Sequence, residues 1–355
     1  MNQPGGRPSD EAYGSSAAGS GQGAADTAGP EGPPSRRVGG EGRESQGSAG
    51  AWEEASGGQA YTLPRAARDA AARGTLKSHL SPLYSAQHAQ RYQRQQLISE
   101  YEDANSCRLI IMIDSIFHYS FQYFGELLYD LSRDRPLHLL LWTPGGDGEV
   151  AVRLARSAQA CCSEFTVIVP DIAKSAGTLL ALGADHILMS PASDLGPVDP
   201  QFEMGGGDYA LISAKDIIAA VDRALDDIAA RPETYPLYSA MLSDVNALRV
   251  ERARSALDRT DDLLKEALRS NPRRTAEQVE QLARELRVPL ISAPKDHAAI
   301  LGASDATNLG LPVIMCDPTS SQWRQIWQLW MHYYTLFPVQ AYESATASQV
   351  QRRPE

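Results

Sequence analysis

Nothing in this 355-residue sequence approaches the roughly 18–20 consecutive apolar residues of a membrane-spanning helix, and it does not open on the basic segment and hydrophobic stretch of a secretory leader. These absences predict a soluble, cytoplasmic protein with no transmembrane segment. Cysteine is scarce too. Cys107, Cys161, Cys162 and Cys316 form no CxxC pair and no ligand cluster, which argues against a zinc or other metal site and against a disulfide framework. Basic charge is in deficit. The formal net charge is −11 and the pI is near 5.2, which argues against a nucleic-acid partner because phosphate binding needs a net basic face. No GxGxxG segment is present, so no nicotinamide and no other cofactor is expected.

Large apolar residues are also missing at the start. Through residue 60 only Met1, Tyr13, Val38 and Trp52 qualify, while fifteen of the 28 glycines fall between Gly5 and Gly58. Four arginines there face eight carboxylates. So little apolar surface cannot offset the entropy of ordering a fold, and residues 1–60 read as a disordered tail. Residues 61–105, rich in Ala, Arg and Gln, read as a helical lead-in. Residues 106–337 read as the main domain, and 338–355 as a flexible C-terminal tail.

What is present begins with Leu109-Ile110-Ile111-Met112-Ile113, a short continuous apolar run of the kind buried on both faces of a sheet. Further strands are predicted over 137–142, 165–169 and 186–189, with helices over 121–131, 150–160 and 175–183 between them. This alternation at short spacing is the pattern of right-handed βαβ crossovers on a parallel sheet, an α/β fold. After Pro200 the pattern turns helical, with helices predicted over 214–230, 238–269 and 275–287. Thr275 and Gln278 stand at capping-box spacing. A small strand is expected within 309–314 and an aromatic helix over 323–336. Trp323, Trp327, Trp330 and Tyr334 follow spacings of 4, 3 and 4, a stripe suited to packing or to a subunit surface.

Two loops carry the chemistry. Ligands bind outside the carboxyl ends of parallel strands, so loops that follow strands share one edge. The first, Thr143-Pro144-Gly145-Gly146, frees backbone N–H groups from any Cβ. The second, Lys174-Ser175-Ala176-Gly177-Thr178, sets a serine at a helix start among small residues. Ser175 could simply cap that helix. Paired with the glycine loop, it supplies a nucleophile and two N–H donors for an oxyanion, the requirements of acyl transfer.

Thr143-Pro144-Gly145-Gly146, then Val169-Pro170, then the run from Ala173 through Ser175 to Asp185, then Leu195-Gly196-Pro197-Val198-Asp199-Pro200-Gln201, occur in an order that resembles the serine dehydrogenase proteinase family of Clp-fold serine proteinases, relatives of signal peptide peptidase A and the Clp proteolytic subunit. Asn308-Leu309-Gly310-Leu311-Pro312-Val313 extends the resemblance toward Leu336. It implies a ClpP/crotonase-like spiral of ββα units with C-terminal helical additions. It also implies Ser175 as nucleophile and the N–H groups of Gly146 and Ala176 as oxyanion donors. The chain departs from the family pattern at Trp142 and Asp171, where His is usual, at Lys174, where Met is usual, and at Ala176, where Gly is usual. A late His-containing motif is matched loosely by Lys295-Asp296-His297-Ala298-Ala299-Ile300.

A base for Ser175 is harder to find. Relatives use a Ser-His-Asp triad or a Ser-Lys dyad, and 24 residues after Ser175, where triad relatives carry histidine, stands Asp199. Asp199 could orient a base or cap a turn. Lys215, 40 residues after Ser175, has the spacing of some dyad relatives, and a buried lysine can serve as a neutral base. His297, Lys174 and His118 are the other candidates. The reading is a serine peptidase acting on peptide or protein substrates through an acyl-enzyme on Ser175, assembled as a homo-oligomer. The alternatives are an inactive Clp-fold scaffold that serves as an interaction protein and, less favoured, a crotonase-type acyl-CoA enzyme.

Overall fold

The computed structural model describes residues 81–129, 131–203, 211–294 and 296–353. The tail expected over 1–60 and the first part of the lead-in lie outside the described residues. The described lead-in is helical, as α1 (Pro82–Gln87) and α2 (Ala89–Asn105).

Five strands run parallel: β1 (Arg108–Ile113), β2 (Leu137–Trp142), β3 (Phe165–Val169), β5 (His186–Met189) and β10 (Val313–Met315), side by side in the order β10-β5-β3-β2-β1. Both faces are covered. Side chains alternate across a strand, so Ile110, Met112, Leu139, Leu141, Val167 and Val169 enter one core, while Leu109, Ile111, Ile113, Leu140 and Ile168 enter another. The first core is closed by α3 (His118–Leu128), α4 (Gly148–Ala160) and α5 (Ala176–Leu182). The second is closed by α2 and α11 (Ser321–Tyr334). Each Val, Ile or Phe so buried contributes about 1.5–3 kcal/mol, which explains why these strands read as unbroken apolar runs.

Three expectations are corrected. Residues 338–353 are no flexible tail. β11 (Val339–Glu343) and β12 (Ser348–Arg352) form an antiparallel hairpin that extends the main sheet beside β1, with Met112 opposite Tyr342. Its polar residues hid it from a search for apolar runs, yet β11 is buried throughout, with Glu343 bonded to Arg94 at 2.7 Å and to the Tyr333 hydroxyl at 2.6 Å. The long helix expected over 238–269 is two, α7 (Tyr235–Met241) and α8 (Ala247–Arg269), because Asn246 turns the chain and caps α8 by accepting from Arg249 N–H at 2.9 Å. The aromatic stripe of α11 is split. Trp323 and Trp330 are buried, whereas Trp327 is 45% exposed and Tyr334 57%, since the buried face runs through Ile326 and Tyr333 instead.

The two other helices expected between Pro200 and Arg287 form, as α6 (Ala214–Ala230) and α9 (Ala276–Arg287), the latter opened by the Thr275–Gln278 capping box. A second, three-stranded sheet sits at the carboxyl edge of the first. In it β4 (Ile172–Ala173) runs parallel to β6 (Asp194–Leu195), which pairs antiparallel with β9 (Leu301–Gly302).

Candidate active site

Thr143 staples the two predicted loops together. Its N–H donates to Ile172 O at 3.2 Å and its carbonyl accepts from Lys174 N–H at 3.1 Å, a parallel bridge to Ala173. Its hydroxyl accepts from Gly145 N–H at 3.1 Å and lies 3.2 Å from Gly145 O. Gly177 fits against it so closely that a Cβ there would come within 2.3 Å of Thr143 Cγ2. The glycines meet a matching demand. Gly145 and Gly146 have φ of 120° and 135°, and a Cβ would stand 2.8 Å from Ser175 Cβ at the first and 2.1 Å from Ile116 O at the second.

Ser175 sits at the start of α5 with φ 51° and ψ −113°, a conformation rarely held by a residue with a side chain. Such backbone costs of the order of 1–3 kcal/mol and persists only where its surroundings enforce it, typically at functional sites. Ser175 occupies the N-cap position of α5, but its side chain makes no capping hydrogen bond. Among the described residues no hydrogen bond engages its hydroxyl, nor the N–H of Gly146 or of Ala176.

The groups considered as bases fall into two sets. In the small sheet β4 and β6 run parallel and β9 runs antiparallel to β6, so the residues after β4, after β6 and before β9 emerge at one end. Those residues are Ser175, Asp199 and His297. His297 Nδ1 lies 2.8 Å from Asp199 Oδ1, and Lys215 Nζ lies 3.9 Å from Asp199 Oδ2. The Asp199 side chain is fully buried. Burial alone would push its carboxyl up, but the His297 hydrogen bond, the neighbouring Ser213 hydroxyl and the charges of His297 and Lys215 outweigh it and hold Asp199 below the ordinary aspartate value. Ser213 Oγ and Asp199 Oδ2 are nonetheless out of hydrogen-bond geometry with each other, and both are buried without a hydrogen-bond partner. Lys215 also donates to Pro294 O and, at 3.5 Å, to Ile291 O.

Lys174 and His118 are not part of this group. Lys174 Nζ pairs with Asp194 and donates to Ala299 O at 3.1 Å, its stem pressed over Gly196. His118 is exposed at the start of α3, edge-on to Tyr119. Two departures from the family pattern meet each other, since Trp142 Nε1 donates to Asp171 Oδ2 at 2.9 Å. Ser213, Ile116 and the structural role of Thr143 escaped the sequence reading. Ile116, just past the end of β1, could have been found by the rule that placed the glycine loop.

A parallel sheet with a strained serine at its carboxyl edge, beside a glycine loop whose Gly146 N–H is free, fits a ClpP-like fold. The chain belongs to the ClpP-like SDH-type serine proteinases, whose family model matches residues 126–314. It is 43% identical over 91 residues to an uncharacterized protein of Methanocaldococcus jannaschii, a stretch covering 26% of this chain and 29% of that protein. It is 27% identical over 180 residues to a second uncharacterized protein of the same organism, covering 51% and 52%. The chain thus matches about half or less of the length of these curated relatives. Solved structures that align with it include a mutant of 1510-N membrane-bound stomatin-specific protease, at 16% identity over 59% of this chain and 82% of that one with a TM-score of 0.34. Another mutant of that protease, in complex with a substrate peptide, aligns at 15% identity over 59% and 77% with a TM-score of 0.36. No helix among the described residues is long and apolar enough to cross a membrane.

Proposed function

We propose that this chain hydrolyses peptide bonds in peptide or protein substrates through an acyl-enzyme on Ser175, with His297 as base and Asp199 as its orienter. The observation that carries the reading is the 2.8 Å contact between His297 Nδ1 and the buried Asp199 carboxylate, at the end of the small sheet from which Ser175 also emerges. Asp199 holds the proton on Nδ1 and leaves Nε2 to take the Ser175 proton. Ser175 Oγ bonds to the scissile carbonyl carbon, whose oxygen becomes an oxyanion facing the N–H groups of Gly146 and Ala176. Collapse breaks the C–N bond, and the departing amine takes the proton from His297. Water, deprotonated by the same imidazole, then releases the acyl group as a carboxylic acid. The chemistry needs no cofactor.

Lys215 serves in this scheme as a counter-charge to Asp199, because its ammonium is already engaged by two carbonyl oxygens. The reading includes a cytoplasmic homo-oligomer. Support for the oligomer comes from exposed apolar side chains on α6 to α8, namely Leu225, Tyr235, Leu237, Met241 and Leu248, together with Trp327 and Tyr334 of α11. The test is covalent labelling by a fluorophosphonate together with hydrolysis of fluorescent casein. Ser175→Ala should abolish both. Wild-type protein that is folded yet neither labels nor cleaves casein would favour the inactive scaffold.

A further inference from the structure

We infer that Asp114, which touches none of the reacting groups, positions the Gly146 oxyanion donor and is itself locked in place by the C-terminal hairpin through Arg353. This rests on the serine-peptidase reading above. Asp114 follows β1 and is 1% exposed. Its Oδ2 accepts from Gln340 Nε2 at 2.6 Å and from the Tyr342 hydroxyl at 3.0 Å, both on β11. Its Oδ1 accepts from Ser115 N–H at 2.8 Å and pairs with the Arg353 guanidinium just beyond β12. A carboxylate this deep is tolerable only when saturated in this way.

These contacts clamp Ile116 from both sides. On the N-terminal side, Ser115 N–H is bonded to Asp114 directly. On the C-terminal side, Phe117 N–H donates to Ser120 Oγ at 3.0 Å, and that hydroxyl lies 2.8 Å from the Tyr342 hydroxyl on Asp114. Ile116 in turn grips the glycine loop. Its N–H donates to Gly145 O at 2.8 Å, and its carbonyl accepts from Asp147 N–H at 2.7 Å. Gly145 O and Gly146 N–H belong to one trans peptide plane and point in opposite directions. Holding the oxygen on the Ile116 side therefore turns the Gly146 N–H the other way, and Gly145 packs against Ser175. Moving Asp114 would tilt that plane. Asp114 and Arg353 both lie outside residues 126–314, the span matched by the family.

The test compares Asp114→Asn, Arg353→Ala and Arg353→Lys with wild type on a fluorogenic peptide, using a peptide aldehyde, which places an oxyanion at Ser175, and the matching peptide acid as ligands. Asp114→Asn should lower kcat by about 10- to 100-fold with KM within about twofold, since small displacements of an oxyanion donor are costly. Aldehyde affinity should fall by a similar factor while the acid binds as before. Arg353→Ala should lower kcat about 3- to 10-fold, with most of the loss regained in Arg353→Lys. Arg353 is partly exposed, so its variants carry the test if Asp114→Asn does not fold. Folded variants with wild-type kcat and aldehyde affinity would overturn the inference, as would equal weakening of aldehyde and acid. If wild type binds no fluorophosphonate at Ser175, the peptidase reading fails first and takes this inference with it. Labelled wild type with unchanged variants would sink the positioning role alone.

Discussion

The serine side of the proposed site is drawn from one stretch of chain between Trp142 and Gly177, and the groups it would use are mostly backbone: two glycines at positive φ, two free N–H groups and one strained serine. The proposed base side gathers Asp199, Lys215 and His297 from segments as much as 98 residues apart, and the groups it would use are all side chains. The difference explains where substitutions are tolerated. A hole made of backbone keeps its shape when neighbouring side chains change, provided the new ones find partners. Trp142 and Asp171 partner each other, and Lys174 partners Asp194. A base made of side chains has no such latitude.

The sharpest way to break the comparison is to remove the base. His297→Ala should lower kcat by about 10⁴-fold or more, and Asp199→Asn by about 10³–10⁴-fold, if both act as one unit with Ser175. The double variant should then be little worse than His297→Ala alone, which steady-state kinetics on one peptide substrate would check. Lys215→Met losing as much as His297→Ala would move the base to Lys215. Asp199 has a second signature in stability. Its folded carboxyl titrates below the ordinary value, so its contribution is complete above about pH 4 and lost as the pH falls through the folded value. Urea unfolding should therefore show Asp199→Asn destabilised at pH 7, with the gap to wild type closing in acid.

On the serine side the next effect in size comes from Gly146→Ala. The added Cβ has no room beside Ile116 O and the φ of 135° strains any side chain, so the donor must shift. Loss of one oxyanion donor costs about 10²–10³-fold in kcat, and fluorophosphonate labelling should slow in parallel. By contrast Gly125→Ala, where nothing lies within 4 Å of the new Cβ, should leave kcat unchanged.

The same contrast governs how much could be read in advance. β3 and β5 were legible to the residue because their runs are apolar on both faces, and the glycine loop because only glycine suits its backbone. His297 and Asp199 each stood out singly, but their meeting depends on β6 and β9, strands of two residues with no periodic pattern to announce them. β11 and β12 escaped for another reason. Gln340 and Glu343 look like surface residues until Asp114, Arg94 and Tyr333 are placed opposite them.

Among the charged groups around the site the smallest expected change in activity is at Lys174, and it tests whether nearness in sequence to Ser175 means participation. The ammonium is held by Asp194 and Ala299 O, and Asp194 also accepts from Leu301 N–H at 2.9 Å, so this ion pair ties β4's exit to β9. Lys174→Met restores the residue usual in the family and leaves Asp194 without its counter-charge. A part-buried carboxylate so orphaned costs about 1–3 kcal/mol, visible as a lower urea midpoint, while kcat should stay within about threefold. Asp194→Asn added to Lys174→Met should recover part of the stability, because an amide needs no ammonium beside it and its oxygen can still accept from Leu301 N–H. Loss of kcat beyond about 10³-fold in folded Lys174→Met would instead make Lys174 the base and reverse the assignment of the two sides.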